Sequence, residues 1–106
     1  MATKISCFRG DNKPFRLTVL DKDGNPVNVA GWSFVFSFAR RLGDAPVHQV
    51  AGVIEDAANG RVLFELTPTH TAQAGTYYFD VQATTNTGHV RTLAAGKLVI
   101  KQDVTP

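Results

Sequence analysis

One cysteine, one tryptophan and one methionine occur among 106 residues, and this scarcity narrows what the chain can be. Cys7 has no second cysteine with which to close an internal bridge, so the fold must rest on packing rather than on staples. No apolar run approaches the roughly 20 residues of a membrane helix, and the opening Met-Ala-Thr-Lys-Ile-Ser lacks the apolar stretch of a secretory signal. The expectation is a soluble protein made in a reducing cytosol. An excess of one charge is also lacking: eleven Lys and Arg stand against nine Asp and Glu, a net charge of +2. The basic residues are spread from Lys4 to Lys101, and Arg40-Arg41 is the only adjacent pair. Neither nucleic acid nor an anionic membrane is an expected partner.

A helical period of useful length is missing as well, while period-two alternation recurs throughout. Phe15, Leu17 and Val19 share one face of the stretch from Lys13 to Leu20. Asp21-Lys22-Asp23-Gly24-Asn25-Pro26 collects turn-forming residues. Trp32, Phe34, Phe36 and Phe38 then alternate with Ser33, Val35, Ser37 and Ala39, so the aromatics are expected to anchor a core and the small residues to face outward. His48 to Glu55 reads as a single weaker strand with a bulge near Gly52. Ala58-Asn59-Gly60 is a hairpin signal, because Asn-Gly accepts left-handed dihedrals. It leads into Val62, Phe64 and Leu66 facing inward.

Thr67 to Ala74 follows neither period and reads as a crossing loop with at most one helical turn. Tyr77, Phe79, Val81 and Ala83 share the inner face of the next strand, Asn86-Thr87-Gly88 turns the chain, and the last strand runs from Val90 to Ile100 with an interruption at Gly96. About seven short strands with regular turn signals give a single all-β domain, an immunoglobulin-like antiparallel sandwich with short polar termini. A jelly roll has the same local signals. The Gly75-Thr76-Tyr77 entry is similar to a tyrosine corner, with Tyr77 or Tyr78 as the phenol that bonds backbone upstream. The expected core is Trp32, Phe34, Phe36, Phe64, Leu66, Tyr77, Phe79 and Val81.

Parts for chemistry are sparse. His48, His70 and His89 fall in different elements without a second ligand at metal spacing. Asp21, Asp23 and Asn25 look like the start of a calcium loop, but the glycine comes too early and no glutamate closes the loop. A turn is the expected role there. Arg9-Gly10-Asp11 spells a tripeptide that some adhesion receptors read, and an ordinary turn is the competing reading. Cys7 continues the alternation begun by Ile5 and reads as a buried thiol rather than a nucleophile. No nucleophile elbow, carboxylate pair or phosphate-cradling loop is present. The chain is therefore expected not to be an enzyme, with no catalytic, cofactor-binding or metal residues and no cofactor.

The order of segments carries a resemblance. Phe8-Arg9-Gly10-Asp11, Leu20-Asp21-Lys22-Asp23-Gly24, Val27-Asn28-Val29-Ala30-Gly31, Trp32-Ser33-Phe34-Val35-Phe36, Ala58-Asn59-Gly60-Arg61-Val62-Leu63-Phe64, Ala74-Gly75-Thr76-Tyr77-Tyr78-Phe79-Asp80-Val81 and Leu93-Ala94-Ala95-Gly96-Lys97-Leu98-Val99-Ile100 follow one another. From about Lys4 to Val104 this series resembles the amino-terminal immunoglobulin-like domain of tailed-bacteriophage baseplate upper proteins and related fibre-base virion proteins.

The resemblance implies a virion structural protein, made in the bacterial host cytoplasm, that works as an assembly adaptor at the tail, baseplate or fibre attachment site. Other virion proteins are the implied partners, in a homo-oligomer or multi-copy assembly. Larger members carry receptor-binding or fibre regions after this domain, and a chain ending at Pro106 suggests a small adaptor. A capsid decoration protein and a carbohydrate or cell-surface binding module, with a surface glycan as ligand, are the alternatives. The expected adaptor segments are Met1 to Gly10 and Lys101 to Pro106, with the face of Ser33, Val35, Ser37 and Ala39 as a further contact.

Overall fold

Alternation of apolar and polar residues is realised as eight strands: β1 (Ala2–Phe8), β2 (Lys13–Thr18), β3 (Ser33–Ala39), β4 (His48–Ala51), β5 (Val53–Asp56), β6 (Arg61–Leu66), β7 (Gly75–Thr84) and β8 (Val90–Lys101). The computed structural model describes residues 2–102. A five-stranded sheet in the order β1-β8-β7-β3-β4 faces a three-stranded sheet in the order β2-β6-β5. The two sheets make an all-β sandwich, with the β7–β8 hairpin beside β3 and β1 closing the far edge. The β1–β8 pair is parallel, from Ala2↔Ala95 to Phe8↔Lys101, whereas the other strand pairs are antiparallel. The sequence suggested about seven antiparallel strands; a parallel pair joins distant chain segments and leaves no local turn signal.

The core lies between the inner faces. Phe34, Phe36 and Phe38 of β3 are buried, as are Val62, Phe64 and Leu66 of β6, Tyr77, Phe79, Val81 and Ala83 of β7, and Leu98 and Ile100 of β8. Burial of such a side chain stabilises the fold by about 1.5–3 kcal/mol. Phe36 and Phe79 stack with ring centroids 5.0 Å apart, and Phe15 of β2 meets Phe36 edge-on at 5.8 Å. Trp32 departs from the expected core. It precedes β3, is only partly buried, and stacks on Phe34 at 6.2 Å from the margin.

The stretch from His48 to Glu55 is two strands in different sheets. β4 pairs with β3, β5 pairs with β6, and Gly52 is the crossing residue, still donating its N–H to the Phe34 carbonyl at 2.9 Å. A Cβ built at Gly52 would lie 2.8 Å from the Phe64 ring and 2.9 Å from Phe34 Cβ and Val62 Cγ1. What looks like a bulge in the sequence is thus a passage between the sheets too narrow for a side chain. Gly52→Ala is expected to cost about 1–3 kcal/mol through overpacking, read as a lower urea midpoint. An unchanged midpoint would show that the passage can widen.

The interruption placed at Gly96 is also displaced. β8 runs through Gly96, which faces Phe79, and the register shift lies opposite Val81 and Gln82, where Leu93 has no partner. The Asn-Gly turn joins β5 and β6 as expected. Asp56 accepts a hydrogen bond from the Asn59 side-chain amide at 2.9 Å, which holds its carboxyl below the usual range.

Candidate functional site

The two outer faces of the sandwich differ in chemistry. On the three-stranded sheet, alternation turns Arg16 and Thr18 of β2, Arg61, Leu63 and Glu65 of β6, and Val53 and Glu55 of β5 outward. Arg16 Nε and Glu55 Oε1 are 3.1 Å apart across that face. This is an ordinary solvated surface, and the exposed ion pair contributes under about 1 kcal/mol.

The outer face of the five-stranded sheet is nearly uncharged over its middle. Gln49 and Ala51 of β4 face Ser37 and Val35 of β3, and Ser33, Val35 and Ser37 face Thr84, Gln82 and Asp80 of β7. Tyr78 and Asp80 face Lys97 and Ala95 of β8. Asp80 and Lys97 are the charges in this central region. Depletion of charge is one feature of interface centres, although the aromatic, Met and Arg enrichment that accompanies it there is absent from this face apart from Tyr78. The set expected from sequence is met except at Ala39, which is buried.

The loop from Arg40 to Val47 overhangs one end of this face. Leu42 is 79 % exposed at its tip, and Ser37, Ala39, Leu42, Pro46, Tyr78 and Asp80 help to line a shallow cleft of about 160 Å³. Arg41 and Asp44 of the loop line it as well, so the cleft joins charged and apolar side chains.

Beneath the overhang, two loops are tied together at the end of the sandwich. Tyr77 is the tyrosine corner: its buried phenol donates to the Gln73 carbonyl at 2.9 Å, whereas Tyr78 points to the outer face. Arg40 lies over the Tyr77 ring at 5.2 Å and donates to Gln73 Oε1 at 2.9 Å. Thr71, fully buried in the loop after β6, donates its hydroxyl to the Asp11 carbonyl at 2.8 Å. Its own carbonyl accepts from Gly10 N–H at 3.0 Å.

The Arg9-Gly10-Asp11 tripeptide is therefore a structural turn. Arg9 N–H bonds Lys101, Gly10 N–H bonds Thr71 and Asp11 N–H bonds Phe8. The Asp21 turn is likewise built locally, with Asp21 Oδ1 accepting from the backbone of Asp23 and Asn25 at 2.9 and 3.0 Å. Cys7, expected to be buried, is only partly so, because β1 is an edge strand; that burial still raises its thiol pKa.

One juxtaposition has no sequence signal. His48 at the start of β4 and His70 in the crossing loop meet edge to face, with ring centroids 5.3 Å apart, while His89 lies in the β7–β8 turn. His70 Nδ1 accepts the Thr67 N–H at 3.0 Å, so the ring is held neutral with its proton on Nε2. Burial, with His48 beside it, lowers the His70 pKa below 6.5. Because the unfolded chain takes up this proton first, the stability contribution is complete above pH 6.5 and declines as pH falls towards the lower folded value. His70→Asn is expected to flatten the loss of thermal stability between about pH 7 and 5.5, a range largely above carboxylate titration. Identical slopes for both proteins would refute this linkage. Among the described residues no group of three or more His, Cys, Asp or Glu is placed to share a metal ion.

No family model matches the chain, and no curated protein matches it in sequence. The functional reading therefore rests on the residues themselves and on the order of segments.

Proposed function

We propose that the chain is a non-enzymatic structural subunit of a tailed-phage virion, an adaptor at the tail, baseplate or fibre attachment site. The observation that supports this reading is the contrast between the outer faces: one is laced with Arg16, Glu55, Arg61 and Glu65, the other presents Ser33, Val35, Gln49, Ala51 and Gln82. Burying the second face against a neighbour desolvates few charges, so the penalty for removing ions from water is small. The resemblance to baseplate upper proteins supplies the virion setting.

The aromatic distribution supports assembly over sugar binding. Among the described residues Phe8 alone of the aromatic side chains is half exposed. It aligns with Lys101, while partly buried Tyr78 aligns with Lys97 on the same strand, roughly 13 Å away at the rise of a strand. No paired stacking platform results.

The test is incorporation. Gln49→Lys combined with Gln82→Lys puts two charges on exposed positions of the neutral face and should leave the melting temperature nearly unchanged. Incorporation into phage particles is expected to fall severalfold, and cryo-electron microscopy of intact particles should place this face against a neighbouring subunit. Normal incorporation of the double variant would move the contact elsewhere, and absence of the wild-type chain from particles would end the virion reading.

A further inference from the structure

The four sheet edges are not equivalent. β4 and β5, four residues each, are too short to template much pairing. β2 carries Pro14 at a position whose backbone points away from β6. Val19 N–H bonds the Gly60 carbonyl, so the odd residues back to Lys13 face β6 and Pro14 faces the open edge. The proline thus removes an edge donor without costing a bond inside the sheet.

β1 has no such protection. It spans seven residues, contains no proline, and carries Lys4 as its single charge. Arg9 N–H bonds Lys101 in β8; by alternation the backbone groups of Thr3, Ile5 and Cys7 also face β8, leaving those of Ala2, Lys4, Ser6 and Phe8 directed at the open edge. The Phe8 carbonyl is taken by Asp11 N–H at 3.1 Å.

We propose that this edge pairs with the same strand of a second copy, antiparallel about a two-fold axis normal to the sheet, making one continuous sheet across two chains. The register follows from the strand's own residues. Ile5 opposite Ile5 of the copy sets Lys4 against Ser6, Thr3 against Cys7 and Ala2 against Phe8, so every residue of β1 has a partner. Shifting one way sets Lys4 against Lys4, a like-charge pair that destabilises a sheet, and strands Cys7 and Phe8. Shifting the other way sets Ser6 against Ser6 and strands Ala2 and Thr3. In the favoured register buried Ile5 continues the apolar core beneath the junction. A two-fold pairing is closed, which yields a dimer rather than a fibre.

The pairing gives a geometry to the multi-copy assembly proposed above and rests on that reading only for its biological setting. Sedimentation equilibrium of the full chain, from micromolar to millimolar concentration, should show a monomer–dimer equilibrium. Ser6→Pro removes an outward N–H from each strand and should weaken the dimer about tenfold or more while leaving the melting temperature of the monomer nearly unchanged. In Thr3→Cys, mild oxidation should give a disulfide-linked dimer through Cys7 of the copy. Facing residues at a non-hydrogen-bonded antiparallel position lie about 4.5 Å apart at Cα, within disulfide reach.

A chain that remains monomeric overturns the proposal and leaves strand addition by another protein as the use of this edge. So does a dimer indifferent to Ser6→Pro, or one that crosslinks through Cys7 to Cys7 in preference to the Thr3→Cys pair. A monomer in solution would leave virion incorporation open, and failed incorporation would leave the dimer standing, so the two readings fail separately.

Discussion

Phe36→Ala is expected to cost about 3–5 kcal/mol, the range for truncating a buried phenylalanine. Phe36 is fully buried and joins the two sheets through four rings: it stacks on Phe79, meets Phe15 and Phe38 edge-on, and lies tilted against Phe64 at 5.9 Å. Removing the ring leaves a cavity whose walls are strand backbones fixed by hydrogen bonds on both sides, so collapse into it is limited. A domain of this size has a total stability of roughly 5–15 kcal/mol, and the variant should be marginal at physiological temperature. With a urea dependence of about 1–3 kcal/mol per molar, the midpoint should fall by more than 1 M. Leu42→Ala is the comparison: at 79 % exposure its loss should stay within about 0.5 kcal/mol. A loss under about 1 kcal/mol for Phe36→Ala would show that the core repacks around the missing ring.

Gly60→Ala is expected to be nearly as damaging, for a different reason. Gly60 has φ of 68°, where a non-glycine residue costs about 1–2 kcal/mol. A Cβ there would also stand 2.7 Å from the Val27 carbonyl oxygen and 2.8 Å from that of Val19. Those oxygens belong to backbone that cannot yield independently, because Val19 N–H bonds the Gly60 carbonyl and Val27 N–H bonds the Val19 carbonyl. Relief requires parting the β5–β6 turn from the segment after β2, which adds an overpacking cost of about 1–3 kcal/mol. Chemical denaturation should place Gly60→Ala well below Gly88→Ala. Gly88 also has positive φ, but a Cβ there meets nothing within 4 Å. Equal losses at the two glycines would mean that the dihedral alone matters and the carbonyl contact does not.

These two positions also show how far local pattern reaches. Phe36 is legible as core because Phe34, Phe36 and Phe38 alternate with Ser33, Val35 and Ser37, and a pleated strand sends such residues to opposite faces wherever it lies. Asn59-Gly60 is legible as a turn because its dihedral demand is local. That Gly60 is also wedged beneath two carbonyls from a segment more than thirty residues earlier depends on how hairpins stack, and no pattern around Gly60 records it.

The same division explains the misplacements. Gly52 breaks the alternation whether a strand bulges or crosses between sheets; only the position of β6, whose Val62 and Phe64 crowd it, decides the second. Trp32 continues an aromatic alternation that the backbone does not continue, since the strand begins at Ser33. The first ten residues look like a free adaptor segment because β1 finds its partner in β8 at the other end of the chain. The Lys101 to Pro106 adaptor ends beyond the described residues, at which Met1 also lies.

By itself the sequence determined most of the strands and their inward faces, though not β1, the division of β4 from β5 or the place of Trp32, together with the turns, the tyrosine entry to β7 and the sandwich class. Each depends on side-chain period or on dihedral preference over a few residues. Tertiary structure decided what the surface offers: His48 against His70, the loop carrying Leu42 over a neutral sheet face, and β1 as the long unguarded edge. Which strand ends a sheet, and which outer face gathers the charges, are properties of strand order. Strand order is set by long-range packing of inner faces that are chemically alike, so it leaves no mark on any one segment.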